Sequence, residues 1–436
     1  MSRRCRNNKK IMFKLNKPIR IAKDKQLRNK IIYVLGMLVV FRLLAHIPMP
    51  GIDVEKLKEF FAGNQLLGLL SMFTGGGMEN FSLVMLGVGP YITASIIMQL
   101  LTMIFPRIKE MYQEEGEAGR QKFNQYTRMA TVPLAMLQGF GMITLLKNKG
   151  VVEAMDPFTL ATNIIVITAG TVFLMWLGEL ISEKKIGNGI SLIIFAGIVA
   201  GFPMSIQQTL STFTPDQLPT IVGFLILFII VIIGIVLVTE AQRNIPVSYA
   251  RRVRGSKMYG GVSTYLPLRV NAAGMIPIIF AMSIMLFPGI IASFFVHSQT
   301  PWIAHGAEMV RDLFANHLFY GAAYFIMVVL FTYFYTAIVF DPKNVAENLQ
   351  KNGGFVPGIR PGRQTADFLF KVMNRITLVG AIFLGLIAVL PFIGQALTHI
   401  TTMVLGGAAI LIVVGVVLDT VNQINSQLTM RDYDEL

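Results

Sequence analysis

The fold is decided by the stretch SLVMLGVGPYITASIIMQLLTMIF, residues 82–105, which contains no charged side chain. A run of this length can cross about 30 Å of hydrocarbon, and it does so as a helix because unpaired backbone groups in lipid cost several kcal/mol each. Basic residues follow it closely: Arg107, Lys109, Arg120, Lys122 and Arg128. Cytoplasmic loops accumulate Lys and Arg, so this end of the helix is predicted to face the cytoplasm.

The composition places the chain among membrane proteins. Of its 436 residues, 54% are hydrophobic and 14% are charged, whereas about a quarter of the residues in a soluble domain are charged. Apolar stretches with the length of a transmembrane helix recur along the chain. They lie near residues 31–47, 84–105, 129–146, 158–181, 186–205, 219–239, 272–296, 318–340, 376–393 and 400–418. The sequence therefore predicts an all-α integral membrane protein with ten transmembrane helices.

Lys and Arg also distinguish the two sides of the membrane. They concentrate in the N-terminal arm and in loops at residues 107–128, 184–185, 243–269 and 343–375. Both termini and these loops are therefore predicted to be cytoplasmic. The net charge of +14 belongs mainly to one face. Two interpretations of this basic face stay open. Either it only reflects the topology of the chain, or it also binds anionic lipid, an acidic partner or RNA.

Ten spans divide naturally into two sets of five. If the halves share a fold, the odd number inserts them in opposite orientations, an arrangement that commonly places a pathway between the halves. The predicted organisation is a basic arm at residues 1–30, a five-helix half at 31–205, a second five-helix half at 206–420 and a cytoplasmic tail at 421–436.

One apolar segment is too short to cross the membrane. It reads FFAGNQLLGLLSMFTGGG, residues 60–77, and it ends in three glycines that supply hinge freedom. Segments of this length are re-entrant or interfacial. The residues alone leave two alternatives open, an amphipathic helix resting on the outer membrane surface and a mobile plug.

Two of the predicted cytoplasmic loops, residues 240–269 and 341–371, are longer than the topology needs. They carry basic side chains, among them Arg251, Arg252, Arg254, Lys257, Arg360 and Arg363. Loops that exceed topological need are often functional. These loops are interpreted either as docking sites for a partner protein or as solvated anchors of orientation.

Ionisable residues inside the predicted spans are few, although an intramembrane enzyme or an ion-coupled transporter needs them. Glu179, Asp419 and Arg42 lie near span ends, where each reaches water or a local partner. The histidines lack HExxH-like spacing, and Cys5 is the only cysteine. No catalytic residue, metal site or cofactor is predicted. A secondary transporter of a small solute and an intramembrane enzyme stay alternatives, and the scarcity of such residues weighs against both.

Branched apolar side chains recur at helical spacing in two spans. Val88 and Ile92 share one helix face, and Ile190 and Ile194 repeat the pattern. Such positions are ordinarily packing or lipid-facing, and they form a gate only where a polar pathway surrounds them. The preceding IGNG, residues 186–189, is compatible with a broken helix or with a turn into the fifth span.

Several ordered motifs resemble one family. They are HIPMPGI (46–52), GPYITASIIMQLL (89–101), EGEAGRQKFNQYTR (115–128), IGNGISLIIFAGIVAG (186–201), STYLPLRVNAAGMIPIIFA (263–281) and GFVPGIRPGRQT (354–365). The resemblance is to the SecY family, the channel-forming subunits of the bacterial Sec protein translocase, and it runs from about residue 20 to 425.

This resemblance implies a clamshell of two five-helix halves around an hourglass pore, with a plug and a lateral gate toward lipid. It assigns a pore ring to Val88, Ile92, Ile190, Ile194, Ile279 and Ile412. It places the plug at residues 60–76, with Leu66, Leu67, Leu69, Leu70, Met72 and Phe73. It puts Thr93, Gln99 and Asn271 on the lateral gate.

The resemblance also implies the activity and the partners. A passive channel in the bacterial cytoplasmic membrane would pass unfolded secretory polypeptides and release hydrophobic segments into the lipid bilayer. SecE and SecG would be its small membrane subunits, and signal peptides would open it. The SecA motor ATPase and the ribosome would dock at Arg251, Arg252, Arg254, Lys257 and Arg360. SecA, ribosomal synthesis or the proton-motive force would supply energy.

Overall fold

A computed structural model of the chain describes residues 24–49, 57, 74, 76–78, 80–148, 150–151, 156–211, 215, 218–249, 252–254, 257–259, 263–295, 300–398 and 407–434. The described residues divide into two compact units. The first comprises those up to Met204 together with those from Val416 onward, and the second comprises Ser205–Gly415.

The first unit is helical. Its elements are α1 (Lys25–Ala45), α2 (Gly89–Ile104), α3 (Pro106–Gln113), α4 (Gly116–Asn148), α5 (Pro157–Glu183), the N-terminal part of α6 (Gly189–Ser211) and the C-terminal part of α13 (Gly407–Asp434). Within it, α4 packs against α2, α3 and α5, and α1 packs against α5.

The second unit combines helices with two small sheets. It holds α7 (Leu218–Glu240), β1 (Gln242–Tyr249), β2 (Arg252–Arg254), β3 (Lys257–Tyr259), β4 (Ser263–Arg269), α8 (Ile276–Phe295), α9 (Pro301–Ala315), α10 (His317–Val339), α11 (Pro342–Lys351), β5 (Gly354–Phe355) and α12 (Arg363–Thr398). Helix α10 packs against α8 and α12, and α7 also contacts α12.

Each of the ten predicted apolar stretches overlaps one of these helices within the described residues. Six helical stretches among the described residues are long and apolar enough to cross a membrane, and a seventh span arises if α2 and α3 count as one bent unit. The bend between α2 and α3 is 115°. The predicted all-α membrane fold is confirmed, and the two small sheets are an addition that was not predicted.

The uncharged stretch at residues 82–105 is helical over only part of its length. Helix α2 begins at Gly89, and residues 83–88 form turns. Gly87 has φ +55°, a left-handed conformation that glycine adopts without strain. Pro90 then occupies the first helical turn, where its missing N–H has no intrahelical partner to lose. The chain therefore changes direction immediately before the helix.

The turns before α2 are fixed by a hydrophobic core in the first unit. Phe81 and Met85 are buried there against Ile143 and Leu146 of α4 and Ile167 of α5. Backbone bonds add to this packing, with the Met49 N–H donating to the Phe81 carbonyl at 3.0 Å. The start of α2 consequently has a defined position within its unit.

Candidate functional site

The predicted ring residues of α2 lie at its first turn. The Ile92 N–H donates to the Val88 carbonyl at 3.1 Å, so the two side chains stand one helical turn apart, as their spacing indicates. Val88 is buried and Ile92 is half-buried. The packed turns around Phe81 therefore fix the start of α2, and with it the positions of both aliphatic side chains.

The ring residues of α6 are positioned by a close approach of α5 and α6. A Cβ added at Gly189 would overlap the Gly178 carbonyl oxygen, and one added at Gly178 would stand 2.6 Å from Ile190 Cδ1. Glycine at both positions therefore lets the backbones touch, as small residues do at helix contacts in membranes. Ile190 packs directly over Gly178, and Ile194 is buried one turn further along α6.

Hydrogen bonds reinforce the same crossing. The Ser182 hydroxyl donates to the Gly178 carbonyl at 2.9 Å and accepts from the Gly189 N–H, also at 2.9 Å. The Asn188 side chain caps α6 by accepting from the N–H groups of Ile190 and Ser191. The IGNG motif is therefore a capped turn into α6, and the broken-helix alternative is wrong.

The turn between α5 and α6 is also held by the end of α13. Gln423 Oε1 accepts from the Gly187 N–H at 2.7 Å, and Gln427 Nε2 donates to the Lys185 carbonyl. Both turn residues have positive φ, +78° for Gly187 and +58° for Lys185. For Lys185 this conformation is strained. We call this pair of contacts the glutamine latch, and sequence reasoning missed it because its partners are more than 200 residues apart.

The second unit holds the other two predicted ring residues. Ile279 lies in the first turns of α8 and Ile412 lies in α13, and both are buried. Next to Ile279, the Phe280 ring makes edge-on contacts with Phe331 and Tyr335 of α10. These T-shaped pairs fix the rotation of α8 about its axis.

The predicted lateral-gate residues are polar groups in apolar surroundings. The Thr93 hydroxyl donates to the Gly89 carbonyl at 3.1 Å and receives a longer contact of 3.5 Å from Gln138 Nε2. Gln99 Nε2 donates to Ser95 Oγ. Gln99 Oε1 and Asn271 Oδ1 are buried and accept no hydrogen bond from any described residue. Each amide therefore retains an unused acceptor.

The predicted plug lies almost entirely outside the described residues. This applies to Leu66, Leu67, Leu69, Leu70, Met72 and Phe73. Its flanks are described, because Leu57 and Met78 are both buried in the hydrophobic core around Phe81. The Met78 N–H also contacts the Thr74 hydroxyl at 3.4 Å.

The two long basic loops are joined by one sheet. Strand β1 pairs with β4 along its whole length and with β5 through Ser248–Phe355 and Tyr249–Gly354. Beneath this sheet Ile245, Leu268, Val356 and Leu369 form a core with residues of α12. We call β1, β4, β5, α11 and the first turns of α12 the sheet platform. The alternation of buried Ile245 and Val247 with exposed neighbours was the available signal for a strand.

Four of the five predicted docking residues are among the described residues. Arg360 is exposed, and its carbonyl accepts from the Thr365 hydroxyl at 2.9 Å, which fixes the loop before α12. The backbones of Arg252, Arg254 and Lys257 lie in the antiparallel pair of β2 and β3. Arg251 lies outside the described residues.

Charged side chains make two local contacts between helices of the first unit. Arg128 Nε lies 2.6 Å from Glu179 Oε1, joining α4 to α5. Lys184 Nζ lies 4.6 Å from the centre of the Tyr33 ring. Glu179 thus has the local partner expected of it. No group of three or more metal-ligating side chains occurs among the residues that the structure describes.

The long apolar helices of the described residues place the chain in the class of multi-pass membrane proteins. Comparison with known proteins narrows this class. The SecY family profile matches residues 82–421. The Protein translocase subunit SecY of Streptomyces coelicolor is 43% identical over 432 residues, covering 95% of this chain and 98% of the relative. The chain belongs to the SecY family.

Solved structures agree on the fold. "The structure of a protein conducting channel" matches with a TM-score of 0.61 at 20% identity, covering 91% of both chains. "Sec61 in the Canine ribosome-channel complex from the endoplasmic reticulum" matches with a TM-score of 0.58 at 20% identity, again covering 91% of both.

Proposed function

We propose that this chain is the central subunit of a channel that passes unfolded polypeptides across a membrane and releases hydrophobic segments sideways into lipid. The observation that carries the proposal is the placement of six branched aliphatic side chains at or near the beginnings of packed helices. These are Val88, Ile92, Ile190, Ile194, Ile279 and Ile412. Family membership supports the same function.

A ring of these side chains would act by excluding water. An aliphatic constriction dewets and so blocks ions, yet side chains of this kind move apart for a larger apolar or extended segment. The Gly178–Gly189 crossing keeps Ile190 and Ile194 in register with α5. Rigid backbone with deformable side chains is the combination that a seal around a moving peptide requires.

A plug at residues 60–76 would complete the closed state. The burial of Leu57 and Met78 supports this role, because a segment tethered at both ends can leave and return without being lost. Gly76 ends the segment and Gly77 follows it, and Gly76 has φ +77°, which supplies a hinge.

The lateral gate would use Thr93, Gln99 and Asn271. Hydrogen bonds between polar side chains in membranes are worth only about 0.6–2 kcal/mol each. Buried acceptors without a donor are rare in stable proteins. The unused oxygens of Gln99 and Asn271 therefore support a seam that exchanges partners when a signal peptide enters.

Direction and energy would come from partners. We propose the bacterial cytoplasmic membrane as the location, with both termini and the sheet platform on the cytoplasmic side. SecE and SecG would be small membrane subunits, and SecA or the ribosome would dock on the platform near Arg360. A ribosome-bound homologous fold supports the ribosomal partner. ATP hydrolysis by SecA, synthesis by the ribosome or the proton-motive force would drive the peptide.

The ring is tested by ion conductance in proteoliposomes. Replacing Ile92 and Ile279 with Ser should raise the leak of chloride at least about tenfold, because a polar constriction no longer dewets. The matched control is Ile226→Ser on α7, an exposed position on a strongly apolar span. Unchanged conductance in the double variant would refute the ring.

Docking is tested by reversing one charge. Arg360→Glu should reduce ATP-dependent import of a secretory precursor by about tenfold, and unfolding should be unaffected because exposed substitutions cost little. Arg28→Glu on α1 is a matched control, since Arg28 is also exposed. Normal import with an altered orientation of the loop in protease-protection assays would instead establish Arg360 as a topological anchor.

A further inference from the structure

Helix α9 has a large exposed apolar surface that the channel mechanism does not use. Trp302, at its beginning, is 81% exposed, and Met309, Val310 and Leu313 are exposed as well. Within the described part of α9 only Ala307 is buried. A helix of a soluble protein would bury its large apolar side chains, so this surface needs a partner.

The side chains of α9 separate into faces. At about 3.6 residues per turn, Trp302, Met309 and Leu313 fall on one line, with Val310 beside it. His305, Glu308 and Asp312 occupy the next sector around the helix. Arg311 donates two hydrogen bonds to Asp312 Oδ1, at 3.0 and 3.1 Å. These two opposite charges of α9 are therefore paired with each other.

In the chain, α9 directly precedes α10, which begins a helical stretch long and apolar enough to cross a membrane. It packs against α8 and α10, and its C-terminal cap, Asn316, is also the N-cap of α10. Phe314 stacks edge-on against Phe319 with ring centres 5.7 Å apart. The exposed apolar surface continues onto α10, where Leu318 is 84% exposed. The apolar surface of α9 is therefore contiguous with the exposed apolar surface of a candidate membrane span.

The length and polarity of α9 exclude a membrane-spanning role. Its 15 residues extend about 22 Å, which is shorter than the hydrocarbon core of about 30 Å. Its polar sector would also be costly in lipid. An amphipathic helix with Trp on its apolar face instead suits the membrane–water interface, where Trp is enriched.

We propose that α9 is an interfacial helix whose apolar face binds the lipid surface through Trp302, Met309, Val310 and Leu313. Because α9 packs against α8, which carries Ile279, this contact holds the adjoining end of α8 at a fixed depth. The bound chemistry is the boundary between head groups and acyl chains, and no individual lipid is selected.

The chain provides its own probe, because it contains only two tryptophans, Trp176 and Trp302. Trp176→Phe leaves Trp302 as the single reporter in the full chain, reconstituted in phosphatidylcholine vesicles. Bromine atoms near the head groups should quench Trp302 about twofold more strongly than bromine atoms deep in the acyl chains, since interfacial helices lie about 5–10 Å below the surface. If Trp176→Phe fails to fold, Trp176→Tyr serves the same purpose.

Trp302→Phe is the matched control, because it reports on Trp176, an exposed side chain in the interior of α5. Its emission should respond more to the deep bromines. Water-like emission of Trp302 without quenching at either depth would overturn the proposal. So would stronger quenching by the deep bromines. If Trp302 is shielded from water at a high ratio of protein to lipid and becomes exposed as that ratio is lowered, a second copy of the chain covers this face.

Discussion

The α5–α6 crossing and the sheet platform are held together by different forces. At the crossing, Gly178 and Gly189 bring two apolar backbones into contact, and Ser182 bridges them. In the platform, a sheet lies on a core that includes Ile245 and Leu369. The crossing depends on close contact between small residues, whereas the platform depends on burying large ones.

The difference follows from the solvent. Lipid tails are as apolar as the side chains, so helices in a membrane gain little from hydrophobic burial and associate through close packing and hydrogen bonds. In water, removing apolar surface contributes about 25 cal/mol per Å². Adding one methyl group should therefore damage the crossing, and deleting several should damage the platform.

The largest expected effect is at the crossing. Gly189→Ala places a Cβ against the Gly178 carbonyl and 2.9 Å from Ile181 Cβ, and neither backbone can withdraw without moving its helix. We expect a loss of about 3 kcal/mol or more of unfolding free energy, measured by denaturant titration of the chain in detergent micelles.

Gly201→Ala is the control on the same helix. A Cβ at Gly201 meets no atom within 4 Å. Alanine also favours the helix over glycine, so this variant should gain about 0.5–1 kcal/mol. Equal changes in the two variants would show that the contact between α5 and α6 is not what holds them together.

A smaller effect is expected in the platform. Leu369 is fully buried beneath the sheet, and Leu369→Ala should cost about 2–3 kcal/mol through lost burial and the cavity left behind. Amide hydrogen exchange should accelerate in β1, β4 and β5 and stay unchanged in α5 and α6, because local openings follow cooperative units. Leu330→Ala, at an exposed position on α10, is the control. Acceleration across both regions would show that they unfold as one.

The same contrast explains what the sequence could predict. Long apolar runs identify membrane helices because the bilayer imposes a length and excludes charge, and all ten runs overlap helices within the described residues. The local partner of Glu179 was predictable because a carboxylate near lipid needs a cation or water. The aliphatic pairs on α2 and α6 followed from helical spacing.

Long-range pairings were not predictable in this way. Strands β1 and β5 are separated by more than 100 residues, and alternation at Ile245 and Val247 indicates a strand but no partner. The turn at residues 83–88 was not predictable because its residues are as apolar as those of the helix that follows. Only the φ of Gly87 distinguishes it. Contacts that depend on three-dimensional proximity leave little trace in local composition.

The smallest expected effect concerns the glutamine latch, which holds the turn between α5 and α6. Gln423→Ala removes the acceptor of the Gly187 N–H and should cost about 1–1.5 kcal/mol. Exchange of the Gly187 amide should therefore accelerate about tenfold, as measured by NMR. Gln423→Glu keeps an acceptor oxygen and should restore protection, whereas Ser426→Ala, which loses only a bond to Asn422 within α13, should leave the Gly187 amide unchanged. If Gln423→Ala leaves Gly187 protected, the strained turn is held by the α5–α6 contact and the Gln427 bond, and the Gln423 bond adds nothing at this end of the crossing.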